Sequence, residues 1–198
     1  MKIRRPLVLA AATAAVLAGT AAPAGAVTTT FHSASGVAHN CTFPGIAAQT
    51  LSAVEQFDGP GSIPHGTAPG ITNISGSLGM TTTLKNLLHA AGYDGVRGSG
   101  MIPVKLTGAT VTSSTPGVIA PTIWSGTTAA ITFTGGAETF SAVSGASSAT
   151  FAMNPPFSLA LEMHKYTTGT WTPWTMNCSL KVTSPAQNTA FSPSLIIT

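Results

Sequence analysis

The sequence predicts a mainly β domain, an antiparallel β-sandwich or barrel that carries one short α-helix. Three observations favour this fold class. The 198 residues include 21 glycines and 14 prolines, which recur every few positions. Ser and Thr are abundant, and Thr is suited to the half-exposed surface of a strand. Short segments between the turn residues alternate apolar and polar side chains, as strands with one buried face do.

The first 26 residues have the composition of a secretory signal peptide and are left out of the fold. A basic start precedes an apolar run from Leu7 to about Gly19 and the small residues of 24–26. Because a membrane span needs about 20 apolar residues, this run is too short to be an anchor. We therefore expect cleavage after Ala26 and a secreted, extracellular protein, either released or held at the cell surface, with no transmembrane segment in the mature chain.

The charge of the chain is low, and much of the positive charge lies in the predicted leader. Only 7% of the residues are charged, against about 25% in an ordinary soluble domain. Three of the eight basic residues are Lys2, Arg4 and Arg5, so the rest of the chain has five basic and five acidic residues. A neutral chain has no field to attract a polyanion, which excludes nucleic-acid binding by phosphate neutralisation.

Alternation marks the first and last clear strands. The residues that share one face near the N-terminus are Val37, His39, Cys41 and Phe43. Similar alternation covers 101–107, 131–134 and 157–164, and the clearest run extends from Trp174 to Val182. This last run places Cys178 on an inward face, as the first does Cys41. Two cysteines in an exported chain permit only one intramolecular bond, so we predict a Cys41–Cys178 disulfide.

One segment follows helical spacing. Its apolar residues, at i, i+3, i+4 and i+7, are Leu84, Leu87, Leu88 and Ala91. Thr81 can cap the start and Gly92 can end the segment, which predicts a helix over about residues 82–91.

Two further segments are less regular. The region from Asp58 to Gly70 contains three prolines and is predicted to be a long irregular loop. Residues 184–198 form either a C-terminal tail or a last strand, which gives a secreted domain over residues 27–183.

Few residues indicate catalysis. The nucleophile motif Gly-x-Ser-x-Gly does not occur, and acids and histidines are scattered. The densest patch is Glu55, Asp58 and His65. A secreted hydrolase would need two or more residues of the set formed by this patch and Asp94 to converge in one pocket. His39 beside Cys41 is interpreted as a core-edge histidine. We predict no catalytic residues, no metal and no cofactor.

Aromatic residues offer a better candidate for binding. Trp171 and Trp174 bracket Pro173, and Tyr166 lies just before them. Exposed aromatic rings on a β surface can stack against sugars or apolar partners. Alternation places Trp174 inward, so Trp171 is the freer member of this predicted ligand platform.

Several short motifs together resemble a known family. They are Cys41-Thr42-Phe43-Pro44 with Gln49 soon after, a small Leu/Ala helix followed by Gly98 and Gly100, and Trp174-x-x-x-Cys178. The chain resembles a group of uncharacterised secreted proteins of high-GC Gram-positive bacteria that carry a domain of unknown function. The resemblance implies an immunoglobulin-like sandwich closed by a bond between the first and last cysteines, and it implies no catalytic residues.

The sequence thus predicts a non-enzymatic interaction or structural module outside the cell, with an unknown protein or cell-wall component as partner. A carbohydrate or cell-wall binding module is the first alternative and a secreted hydrolase the second. Exposure of Trp171 favours the first alternative, and convergence of acids with a histidine favours the second.

Overall fold

The computed structural model describes residues 27–34, 36–125 and 129–198. The predicted signal peptide, residues 1–26, lies outside the described residues. In the part of the chain that is described, sixteen strands and one helix follow one another. The prediction of a mainly β chain with one short helix is confirmed.

The strands are β1 (Thr28–Ser33), β2 (Val37–Phe43), β3 (Ile46–Pro60), β4 (Ser62–Ile63), β5 (Gly70–Met80), β6 (Tyr93–Gly100), β7 (Val104–Leu106), β8 (Val111–Thr115), β9 (Gly117–Ile123), β10 (Ala129–Phe140), β11 (Ser148–Ala149), β12 (Phe151–Met153), β13 (Phe157–Lys165), β14 (Thr170–Leu180), β15 (Phe191–Ser192) and β16 (Leu195–Ile197). The helix is α1 (Thr82–Ala90).

The long strands form antiparallel sheets in a sandwich-like arrangement, and their pairings return to the starting strand. In order of hydrogen-bonded neighbours the circuit is β3, β2, β14, β13, β6, β9, β10 and β5, and β5 pairs again with β3. The β9–β10 step rests on one residue pair, Val118 with Thr134. Because of this order, β3, β5 and β10 lie across the circuit from β6, β13 and β14.

The core fills the space enclosed by these strands. Inward positions alternate with outward ones along β2 and β13, as the sequence predicts. Five phenylalanine rings pack together at centroid distances of 4.8–5.7 Å. These five residues are Phe31, Phe57, Phe140, Phe151 and Phe191. Aromatic contacts of this kind add to the free energy gained by burial.

The predicted disulfide is present between β2 and β14. Cys41 and Cys178 are opposite one another in the register of these strands, with their Cα atoms 4.1 Å apart. Both side chains face the core because both alternating segments place sulfur inward. The bond therefore fastens the β2–β14 step of the circuit.

Helix α1 confirms the predicted helix, with one correction to its apolar face. The hydroxyl of Thr81 accepts a hydrogen bond from the main-chain N–H of Leu84 and caps the helix. Leu84 and Leu88 are buried, but Leu87 and Ala91, predicted on the same face, are exposed, Leu87 at 40%. The helix packs on β6 and β3 along a narrow stripe, so a residue at its margin stays in solvent. No helical segment among the described residues has the length and apolar character needed to cross a membrane.

Two expectations about where strands end are wrong. The long loop predicted from Asp58 to Gly70 is shorter, because β3 continues to Pro60 and β4 follows at once. The N-terminal strand β1 pairs with β3 as far as Pro60, and this pairing extends β3. Val182, predicted on the inward face, is 94% exposed because β14 ends at Leu180.

The C-terminal residues contribute two short strands. β15 pairs with β1, and β16 pairs with β11 and β4. Phe191, Leu195 and Ile197 are buried. The boundary at residue 183 stays a prediction.

Candidate functional site

Trp171 lies at the centre of a cluster of side chains on the outer face of β6, β13 and β14. The guanidinium carbon of Arg97 is 4.7 Å from the centroid of the Trp171 ring, and the imidazole of His164 is 4.9 Å from it. Arg97 forms an ion pair with Glu162, its cross-strand neighbour in β13. We call Trp171, Arg97, His164, Glu162 and Asp94 the Trp171 surface.

The imidazole of His164 is fixed by a carboxylate. Its Nδ1 lies 2.5 Å from Oδ1 of Asp94, and both side chains are mostly buried, at 18% and 20% exposure. Because a carboxylate accepts hydrogen bonds, Nδ1–H is the donor. The ring therefore keeps one orientation against Trp171. The indole contacts Arg97 and His164, and each of these two side chains is bonded to an acid.

The other two members of the predicted aromatic platform have different surroundings. Trp174 is half-buried against the core, and its indole N–H donates to the main-chain oxygen of Thr42 at 3.3 Å. Tyr166 is 44% exposed and stacks on His89 of α1 at 4.5 Å. The three aromatic residues thus belong to three separate contacts, and their joint role as a platform stays a prediction.

The residues that a hydrolase would require do not come together. Glu55 faces the core, whereas Asp58 lies at the surface and accepts hydrogen bonds from Thr30 and Asn73, which lower its pKa. His65 is exposed in the loop after β4. Asp94 is the only one of the four with a histidine partner among the described residues, and that partner is His164.

His39 lies in the interior of the protein. His39 is fully buried, with Nδ1 3.1 Å from the main-chain oxygen of Val37 and its ring against Phe157. Burial lowers the pKa of His39. Among the residues that the structure describes, no three His, Cys, Asp or Glu side chains are grouped to hold a metal ion.

Two carboxyl groups are also inside. Glu55 in β3 and Glu138 in β10 are 4% and 2% exposed. Oε2 of Glu138 accepts a hydrogen bond of 3.0 Å from the N–H of Val104, but both carboxyl oxygens of Glu55 lack partners. Burial, followed by repulsion from Glu138, raises the pKa of Glu55 well above its ordinary value. Burial raises the pKa of Glu138 to about 7, although hydrogen bonds from Val104 and Ser114 oppose this.

A groove occupies the outer face across the circuit from the Trp171 surface. Its cavity volume is about 570 Å³. Neighbouring strands β3, β5 and β10 form its floor, and β1 forms one end. We call it the outer groove; its principal lining residues are Val54, Gln56, Ser75, Ser77, Thr132 and Thr134.

Sequence reasoning missed several of these residues. Arg97 and Glu162 are 65 positions apart, so only the β6–β13 register brings them together. Glu55 could have been placed in the core by alternation, since Ala53 and Phe57 share its face. Alternation along β10 likewise indicates that Glu138 faces the core, since Phe140 shares its face.

Comparison with known proteins identifies the family. A family model described as a family of unknown function (DUF6801) matches residues 38–192. Comparison with curated proteins and with solved structures gives no match to this chain. The matched range begins in β2, contains both cysteines and the whole Trp171 surface, and ends in β15. Since the match covers most of the chain, the protein belongs to this family of unknown function, DUF6801.

Proposed function

We propose that the protein is an exported, non-enzymatic binding module that acts outside the cell. Its first 26 residues have the composition of a signal peptide, and the remaining chain is electrically neutral. The Cys41–Cys178 disulfide is of the kind that persists in oxidising compartments. The finer immunoglobulin-like description of the sandwich and the Gram-positive origin implied by the resemblance stay predictions.

The observation that carries this proposal is the arrangement around Trp171. Its indole lies against Arg97 and His164, and the acids Glu162 and Asp94 hold those two side chains in place. The side chains of such a surface lose little entropy when a partner binds, because their geometry is fixed before binding. Trp and Arg are also the residues that most often dominate binding energy.

Each charged side chain of the Trp171 surface already has a bonded partner within the protein, which favours a binding partner without strong charge. Arg97 is paired with Glu162, and His164 with Asp94. A protein or cell-wall component without strong charge fits this balance. A carbohydrate partner is the specific alternative, because a partly exposed indole can contact the C–H groups of a sugar ring.

Binding to isolated cell-wall material and to secreted proteins tests the proposal. We expect the mature chain, residues 27–198, to bind one of these saturably and Trp171→Ala to weaken binding by at least about tenfold. Val111→Ala removes an exposed apolar side chain from β8, which pairs with β10 and not with the strands of the Trp171 surface, and is the matched control. Tyr166→Ala shows whether Tyr166 shares the same surface. Equal binding by Trp171→Ala and the unmodified chain would contradict the proposal.

The Asp94–His164 pair is the observation that favours the hydrolase alternative. A carboxylate that orients an imidazole through Nδ1 leaves Nε2 able to act as a base. A hydrolase screen on the purified mature chain distinguishes the two functions. Turnover that is abolished by Asp94→Asn would show that the protein is an enzyme and would contradict the proposed binding module.

Export has its own test. Intact-mass measurement of secreted material should give a chain that begins at Val27. Secreted protein that retains residues 1–26 would contradict the proposed processing.

A further inference from the structure

The outer groove has side chains set out in two rows across three strands. The register pairs Val54 with Ser77 and Ser77 with Thr132, which forms one row. Gln56 pairs with Ser75 in the next row, two residues along β3. Neighbouring strands are about 4.8 Å apart, so polar side chains recur at that spacing across the groove.

These polar side chains are free of hydrogen-bond partners in the part of the chain that the structure describes. The hydroxyls of Ser75, Ser77, Thr132 and Thr134 and the amide of Gln56 make no hydrogen bond with any described residue, in contrast to the hydroxyl pairs on β8 and β10. Between them Val54 is 41% exposed. The groove thus presents several donors and acceptors around one apolar contact.

The lining consists of neutral side chains, with His32 at the β1 end and Glu55 in β3 as its titratable members. Although Glu55 contributes to the groove, its carboxyl group is buried on the other side of the strand. A ligand with a net charge would lose its hydration there without gaining a counter-charge. Charge complementarity therefore favours an uncharged ligand that is rich in hydrogen-bonding groups.

Recognition at the centre of the groove must use side chains. The main chain of β5 is already paired with β3 on one side and with β10 on the other. β3 in turn pairs with β1 through Gln56, and the N–H of Glu55 donates to the hydroxyl of Ser33. An extended peptide therefore finds no free main chain on β5, at the centre of the groove, to join.

We propose that the outer groove binds a short neutral oligosaccharide, with the free hydroxyls and the Gln56 amide bonding its hydroxyl groups and Val54 contacting its C–H face. The cavity has the volume of an ordinary small-ligand site. The outer groove is a different site from the Trp171 surface. Along the circuit, β2 separates the two sites on one side and β9 separates them on the other.

The test is titration of the mature chain, residues 27–198, with uncharged trisaccharides, followed by amide chemical shifts in NMR spectra. The probes are cellotriose, maltotriose, mannotriose and the N-acetylglucosamine trimer; a galacturonic acid trimer is the charged control. We expect at least one neutral probe to shift the amides of β3, β5 and β10 around the groove. The charged probe should bind more weakly.

Variants locate the site. Ser77→Val and Thr132→Val each remove a hydroxyl and should weaken binding of the neutral probe about fivefold. Thr115→Val removes an exposed hydroxyl from β8, outside the groove, and is the matched control. Thermal melting of each variant verifies that it is folded.

Trp171→Ala separates this proposal from the preceding one, because it should leave binding in the groove unchanged. Sugar binding that is lost in Trp171→Ala but kept in Ser77→Val and Thr132→Val would overturn the groove as the sugar site. The absence of shifts at the groove with every neutral probe would overturn it as well. Displacement of the bound probe by a neutral extended peptide would show that the groove is instead a peptide site.

Discussion

Glu138→Gln should remove much of the pH dependence that the buried carboxyl groups of Glu55 and Glu138 give to the free energy of unfolding. The pKa of Glu138 is about 7 in the folded protein, compared with an ordinary value of 4.5. Between these two pH values the folded state binds more protons than the unfolded state, so the free energy of unfolding falls as pH rises. The stabilisation is complete below pH 4.5 and is lost as pH rises through about 7.

The size of this effect follows from the displaced pKa. One pH unit corresponds to about 1.4 kcal/mol, so Glu138 alone costs the protein about 3 kcal/mol between pH 4.5 and pH 8. Glutamine keeps an acceptor for the N–H of Val104 but cannot ionise. The variant should therefore resemble the unmodified protein at pH 4 and be more stable by about 3 kcal/mol at pH 8.

Urea denaturation at intervals from pH 4 to pH 8 measures these free energies. Buried His39 acts in the opposite direction below pH 6.5, because its pKa is lowered, but it is present in both proteins. The difference between the two curves therefore isolates Glu138 and its effect on Glu55. Glu162→Gln, which alters a half-exposed ion pair, is the control and should have little effect. A difference that does not grow from pH 4.5 to pH 7 would refute the reasoning.

Three further perturbations have expected outcomes of known direction. Replacing both Cys41 and Cys178 with Ala should lower the free energy of unfolding by about 4–5 kcal/mol, measured by urea denaturation without reductant; a loss below about 1 kcal/mol would count against it. Leu88→Ala should cost about 2–5 kcal/mol by thermal melting, whereas Leu87→Ala should cost far less because Leu87 is 40% exposed. Gly98→Ala should destabilise the protein more than either helix change, since φ at Gly98 is +148° and an added Cβ would overlap the main chain of β13; an unchanged melting temperature would disprove this.

Much of the fold could be predicted because alternation is a local signal. The positions of Val37, Cys41 and Phe43 on one face of β2 follow from spacing alone, and so does the capping of α1 by Thr81. The return of β5 to β3 could not be predicted, because it depends on pairing between segments whose register no short pattern specifies.

The same distinction applies to the candidate sites. Sequence indicated Trp171 as the freer tryptophan, but the pairing of Arg97 with Glu162 across β6 and β13 lies beyond any local pattern. The outer groove forms because the register of three neighbouring strands places its side chains opposite one another. This register, too, is not specified by any local pattern. Glu55 belongs to the densest patch of titratable residues in the sequence, with Asp58 and His65, but its alternation with Ala53 and Phe57 along β3 places it in the core.

The disulfide also determines what a protease could do to this protein. Cys41 and Cys178 are register partners at the β2–β14 step, so most of the described loops lie between them, although the mostly exposed segment 181–190 does not. A cut in the exposed segment 144–147, for example, would leave two fragments that remain covalently joined and still share the pairing of β2 with β14. A chain nicked there keeps its parts together, and only reduction would release them as separate pieces.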